Sequence, residues 1–193
     1  MAEKAIKGKD RAHLLVIDIE CTCWSRDEQP PDERQEIIEI GIGLIDPRTG
    51  AWERTPKSYP IFPYHSTVSD YCTALTGWTT ATLPDCMHTF DAVLPQIVEE
   101  WHPERYPWAS WGDFDRAVFQ IECAFWRETY PFGRCHFDLS QLFALMRGTR
   151  KRGVAKAHKI LGLDLVPPHH RADSDVRSIG QIVPFLFNRD WGL

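Results

Sequence analysis

The chain has 193 residues, 43% hydrophobic and 25% charged, the balance of a soluble globular protein, and reads as one domain (1–193) with its core at about 13–187. A formal net charge of −5 excludes broad, nonspecific coating of nucleic acid but leaves room for a local basic patch. No apolar run approaches a membrane span and residues 1–7 lack a secretory apolar stretch, so a cytoplasmic protein without membrane contact is expected.

Residues 13–20 read as a first strand ending in two acids, Asp18 and Glu20. A charged, proline-containing loop over 25–34 leads to a second strand at 36–45. Turn chemistry at Asp46-Pro47-Arg48-Thr49-Gly50 returns the chain as a third strand over 51–60, an antiparallel meander with the first strand as its buried member. The middle is helical: a short helix at 68–75, then an amphipathic one from Thr89 to about Trp101 with Phe90, Val93, Leu94, Ile97, Val98 and Trp101 on one stripe. A strand at 106–111 precedes a helix at about 114–128, and a brief strand at 135–138 precedes a helix at 139–146. A basic segment, Arg147-Gly148-Thr149-Arg150-Lys151-Arg152-Gly153, joins a helix at 154–161. The last helix starts near His170 and carries Val176, Ile179, Ile182, Val183, Phe185 and Leu186 into the core. Strands first, then alternating helices and strands, predict an α/β fold with a mixed sheet. The six cysteines, Cys21, Cys23, Cys72, Cys86, Cys123 and Cys135, form no C-x-x-C pair and are expected to be reduced thiols.

Three acidic segments carry the chemistry. Asp18 and Glu20 stand two apart on a strand, so both point to one side of the sheet. Two such charges repel and resist desolvation unless a cation lies between them, and hard oxygen ligands suit Mg2+ or Mn2+. Taken alone, they are also compatible with exposed acids at a strand end. Trp111-Gly112-Asp113-Phe114-Asp115 sits where a strand gives way to a helix, the usual address of active-site groups in α/β proteins. Its two acids compete: a carboxylate in the first turn of a helix often does no more than cap it. His169-His170-Arg171-Ala172-Asp173-Ser174-Asp175 puts a histidine five residues before a carboxylate at a helix start. The acids Glu36, Glu39, Asp70 and Asp85 lack such support and read as solvated acids or caps.

D-I-E-C-T, W-G-D-F-D-R-A-V-F and H-R-A-D-S-D, in that order, resemble the three motifs of the DEDDh 3′-to-5′ exonucleases, of ribonuclease H-like fold. Glu36-Ile37-Ile38-Glu39-Ile40 and Leu75-Thr76-Gly77-Trp78 resemble the branch that trims histone mRNA and small RNAs. The resemblance implies a mixed five-stranded sheet with helices on both faces and two Mg2+ or Mn2+ ions held by Asp18, Glu20, Asp115 and Asp175. It implies His170 as general base, and it makes Asp115 rather than Asp113 the middle ligand, leaving Asp113 to cap the helix and His169 as a loop neighbour. It also implies that Ile19 and Phe114 wall the terminal-base pocket, with Leu75 and Trp78 as further contacts. The implied partner is single-stranded nucleic acid with a free 3′ end, RNA preferred, cut to nucleoside 5′-monophosphates. Ser110, Trp111 and Gly112 depart from the asparagine common in proofreading members.

The run Arg147, Arg150, Lys151, Arg152, Lys156 and Lys159 is the candidate for backbone contact, or else a solvated loop face. Two other functions stay open: a hydrolase of short oligonucleotides or dinucleotides, and a non-catalytic RNA- or protein-binding domain on a nuclease scaffold.

Overall fold

The computed structural model describes residues 12–26, 28–83 and 88–187, so Asp85 and Cys86 lie outside the described residues. Five strands, β1 (Leu14–Cys21), β2 (Ile37–Ile45), β3 (Trp52–Pro60), β4 (Trp108–Ser110) and β5 (His136–Asp138), form one sheet in the order β3-β2-β1-β4-β5. The meander β1–β2–β3 is antiparallel, whereas β4 and β5 join parallel, as the mixed sheet requires. The helices are α1 (Asp70–Thr76), α2 (Phe90–Trp101), α3 (Phe114–Trp126), α4 (Leu139–Met146), α5 (Val154–Leu161) and α6 (Ala172–Phe187).

β1 is the central strand, and its alternation divides the core. Leu15, Ile17 and Ile19 pack with Phe90, Leu94, Val118 and Phe119 of α2 and α3. Leu14 and Val16 pack on the opposite face with Phe143, Ala157, Val176 and Ile179 of α4, α5 and α6. Asp18 and Glu20 continue the second series, so both carboxylates turn toward the α6 side. Gly41, opposite Asp18 in the β1–β2 register, lets α6 approach: a Cβ there would meet the Ala172 carbonyl oxygen at 2.2 Å.

Several boundaries move for identifiable reasons. Ser69 caps α1, its hydroxyl accepting the Cys72 amide at 3.0 Å, and Gly77 ends it in the left-handed region. The last helix starts at Ala172 rather than near His170, because His170 has φ 57° and gives its amide to the Asp175 carboxylate. Phe185 is only half-buried and stands outside the core that Val176, Ile179, Ile182, Val183 and Leu186 enter. Asp113 occupies the position before α3 but makes no side-chain capping bond; its carboxylate pairs with Arg116 instead, at 2.8 Å. The five described cysteines are free thiols.

Candidate active site

The C-terminal end of β1, the start of α3, and the loop into α6 meet at a cleft of about 490 Å³. Asp18, Ile19 and Glu20 enter it from β1, Phe114 and Asp115 from α3, and His169, His170 and Asp175 from the chain around the α6 start. Trp111, Gly153, Val154, Ala155 and Leu165 complete the walls. Parallel pairing of β1 with β4 brings the strand end before Asp115 beside the end of β1, and the Ile19 amide donates to Asp115 Oδ1 at 3.1 Å. The His170 amide donates to Asp175 Oδ2 at 3.0 Å, fixing the histidine's loop to the first turn of α6. A non-glycine residue held at positive φ is strained, and here the Asp175 contact helps to hold it.

Charge balance in the cleft is one-sided. Among the described residues, the Asp18 and Glu20 carboxylates accept no hydrogen bond and pair with no Lys or Arg, while burial and mutual repulsion act on both. Burial, then Asp115, Glu20, Asp175 and Glu39, hold the Asp18 carboxyl well above its ordinary range. Burial, followed by Asp175, Glu39 and Asp115, pushes Glu20 up to about 8, with Arg171 pulling the other way. Burial raises Asp115 to about 6 against hydrogen bonds from its own amide, the Ile19 amide and the Ser110 hydroxyl. Asp175 is raised by burial and lowered by His170. One ligand atom each from Glu20, His170 and Asp175 lies within 4.8 Å of the others, close enough to share a cation. The donor set therefore fits a hard divalent ion, whose charge offsets the repulsion.

Of the residues singled out in sequence, Asp18, Glu20, Asp115, His170, Asp175, Ile19 and Phe114 come together in this cleft, and His169 joins them. Leu75 and Trp78 are not among its lining. Trp78 is engaged elsewhere: its indole N–H donates to Glu39 Oε2 at 3.0 Å, and the Arg171 guanidinium lies 4.3 Å from its ring centre.

Glu36 and Glu39 are not the solvated acids expected. Glu39 is fully buried and accepts from both Arg171 Nε and Nη2, from the Ala172 amide, from Trp78 and from the Ser58 hydroxyl. It thereby ties β2 to the N-terminus of α6, the helix that delivers Asp175. Glu36, also buried, accepts the amides of Tyr64, His65 and Ser66 and pairs with Arg34 at 3.2 Å. Asp70, by contrast, is exposed in the first turn of α1 as a helix-start acid should be. Gly41, Trp111 and Glu39 shape the site without a sequence signal of their own beyond the E-I-G-I-G run and the neighbouring motifs.

The chain matches the protein family described as Exonuclease over residues 15–183. It is 33% identical over 99 residues to the 3′-5′ exonuclease Snipper of Drosophila melanogaster, covering 51% of this chain and 34% of that protein. It is 29% identical over 126 residues to 3′-5′ exoribonuclease 1 of Homo sapiens, covering 62% of this chain and 35% of that one. The solved nuclease domain of 3′hExo, a DEDDh family member bound to rAMP, superposes with a TM-score of 0.80 at 22% identity, covering 91% of both chains. The present chain thus spans about a third of the length of those curated relatives. The mixed five-stranded sheet is the ribonuclease H-like fold expected from the sequence.

Proposed function

Because this chain belongs to the exonuclease family that its residues 15–183 match, we propose that it removes nucleotides one at a time from the 3′ end of single-stranded nucleic acid, RNA in preference to DNA. The observation that carries the reading is the convergence of Asp18, Glu20, Asp115 and Asp175 with His170 in one cleft. The first two carboxylates have no partner within the protein among the described residues. The 3′-end polarity draws support from the similar Snipper and 3′-5′ exoribonuclease 1, and the taste for RNA from the second of these.

The four carboxylates would hold two Mg2+ or Mn2+ ions. Such ions, when bound, neutralise the charge that builds on the attacking and leaving oxygens of a phosphodiester. The protein's own groups supply the rest. His170, exposed at the cleft edge, accepts a proton from the attacking water through its neutral imidazole. Water attacks phosphorus and the bond to the preceding 3′ oxygen breaks. A nucleoside 5′-monophosphate leaves, and the shortened strand keeps a 3′ hydroxyl. Ile19 and the half-exposed Phe114 wall the place of the terminal base, where stacking contributes about 1–3 kcal/mol per base with little sequence preference.

The test is incubation of 5′-labelled RNA, DNA and dinucleotides with the protein and Mn2+ or Mg2+, with and without EDTA. A ladder shortening from the 3′ end, stronger on RNA and abolished by EDTA, is expected. Cleavage of dinucleotides alone would make the protein a short-oligonucleotide hydrolase. Equal cutting of circular and linear strands, or no cutting, would defeat the proposal.

A further inference from the structure

Residues 147–159 hold Arg147, Arg150, Lys151, Arg152, Lys156 and Lys159 with no acidic residue among them, in a chain whose net charge is −5. The fold sets this segment against the cleft. Gly153, Val154 and Ala155 line the same cavity as the four carboxylates. Two contacts peg the loop: the Trp111 indole N–H donates to the Arg152 carbonyl at 2.7 Å, and Lys151 Nζ pairs with Asp138 at 2.7 Å. Trp111 is itself a cleft wall, so the anchor and the site share a side chain.

With Lys151 neutralised by Asp138, the other cations divide by role. Arg150, Lys156 and Lys159 are exposed and form no ion pair among the described residues. Arg152 buries its Nε without a hydrogen-bond partner. On α5, Ala155 and Lys159 stand four residues apart on one face, with Lys156 beside them, so the face that meets the cleft also carries positive charge away from it. The eight residues of α5 extend about 12 Å, room for about two or three phosphates of an extended strand.

We propose that Arg150, Lys156 and Lys159 form a track for the phosphates upstream of the nucleotide being removed. The inference rests on the proposed exonuclease reading and adds the direction in which the strand leaves the cleft. An acidic cleft repels a polyanion at its mouth, and uncompensated cations continuous with it offset that repulsion. Phosphate contacts of this kind position the strand and carry no sequence preference.

The experiment compares the wild type with a triple variant, Arg150→Glu/Lys156→Glu/Lys159→Glu, and with the milder triple change to Gln. A control pair, Arg48→Glu/Arg127→Glu, reverses exposed cations outside the cleft lining. Binding of a fluorescent single-stranded 12-mer is followed by anisotropy in Ca2+ at increasing salt, and hydrolysis of the 12-mer and of a dinucleotide in Mn2+. The Glu triple variant should weaken 12-mer binding roughly 10-fold or more and flatten the log–log salt slope by about 2, the share of three phosphate contacts on a single strand. KM for the 12-mer should rise in parallel, with kcat and dinucleotide hydrolysis unchanged; the Gln variant should show the same pattern more weakly. An unchanged slope in the triple variants overturns the track, and so does an equal loss in the control pair. A wild type that binds with the expected slope but hydrolyses nothing defeats the exonuclease reading instead, so the two failures are distinguishable.

Discussion

Glu20 and Glu39 face each other across the β1–β2 ladder, both buried, and the chain treats them in opposite ways. Glu39 is surrounded by donors: a forked Arg171, a helix amide, an indole and a hydroxyl. Glu20, with Asp18 two residues before it, has neighbouring acids and no hydrogen-bond donor of the protein's own among the described residues. Burial alone therefore does not mark a functional carboxylate in this molecule. What sets Asp18 and Glu20 apart is the missing internal partner, because a buried charge without one costs several kcal/mol until a cation or a proton arrives. The Glu39 cluster spends its hydrogen bonds on holding the α6 start in place, and under the proposed function Asp18 and Glu20 are the acids left for an ion from solution.

The largest effect should come from breaking the satisfied side. Glu39→Ala strips the acceptor from Arg171, Trp78 and the Ala172 amide at once, and should cost about 3–5 kcal/mol in urea unfolding. A loss below about 1 kcal/mol would show that Glu39 is no anchor and would erase the contrast.

On the unsatisfied side, stability of the chelated protein should fall as pH rises. Unfolded Glu20 releases its proton near 4.5, whereas the folded group keeps it to about 8, and Asp115 keeps its own to about 6. Between about pH 4 and 8 the folded state thus binds more protons, which makes the slope of unfolding free energy with pH negative. The cumulative loss should amount to several kcal/mol by about pH 8. Asp18→Asn and Glu20→Gln should flatten that decline and stabilise the apo protein at pH 8. Urea titrations in EDTA from pH 4 to 9 would check this, and a rise in stability across the window would reverse the assignment.

A smaller effect separates the two cleft histidines. His170→Ala should lower turnover roughly 100-fold, about 2.7 kcal/mol, with strand binding nearly intact. His169→Ala should change it only mildly. A dead His169→Ala enzyme beside an active His170→Ala enzyme would move the base by one residue.

Much of this was legible in the chain. The alternation through Leu14-Leu15-Val16-Ile17-Asp18-Ile19-Glu20 shows both faces of β1 and the side its acids take. The order of the three acidic segments identifies which residues meet in the cleft. The fate of Glu39 was not legible, because its partner Arg171 lies 132 positions away and only the folded sheet brings them together. The tie from the Trp78 indole to Glu39 was not legible either: the resemblance offers Trp78 as a base contact, and local pattern presents Glu39 as a surface acid. The late start of α6 comes from a side chain five residues on capturing the His170 amide, a competition that periodicity does not register.

The contrast between the two acid groups is tested most directly by calorimetric titration of chelator-stripped protein with Mn2+ at neutral pH. Wild type should bind Mn2+ saturably, and both Asp18→Asn and Glu20→Gln should weaken or abolish that binding while remaining folded. Absence of saturable binding in the wild type, or unchanged binding in both variants, would contradict the claim that these carboxylates are kept unpaired for a metal ion.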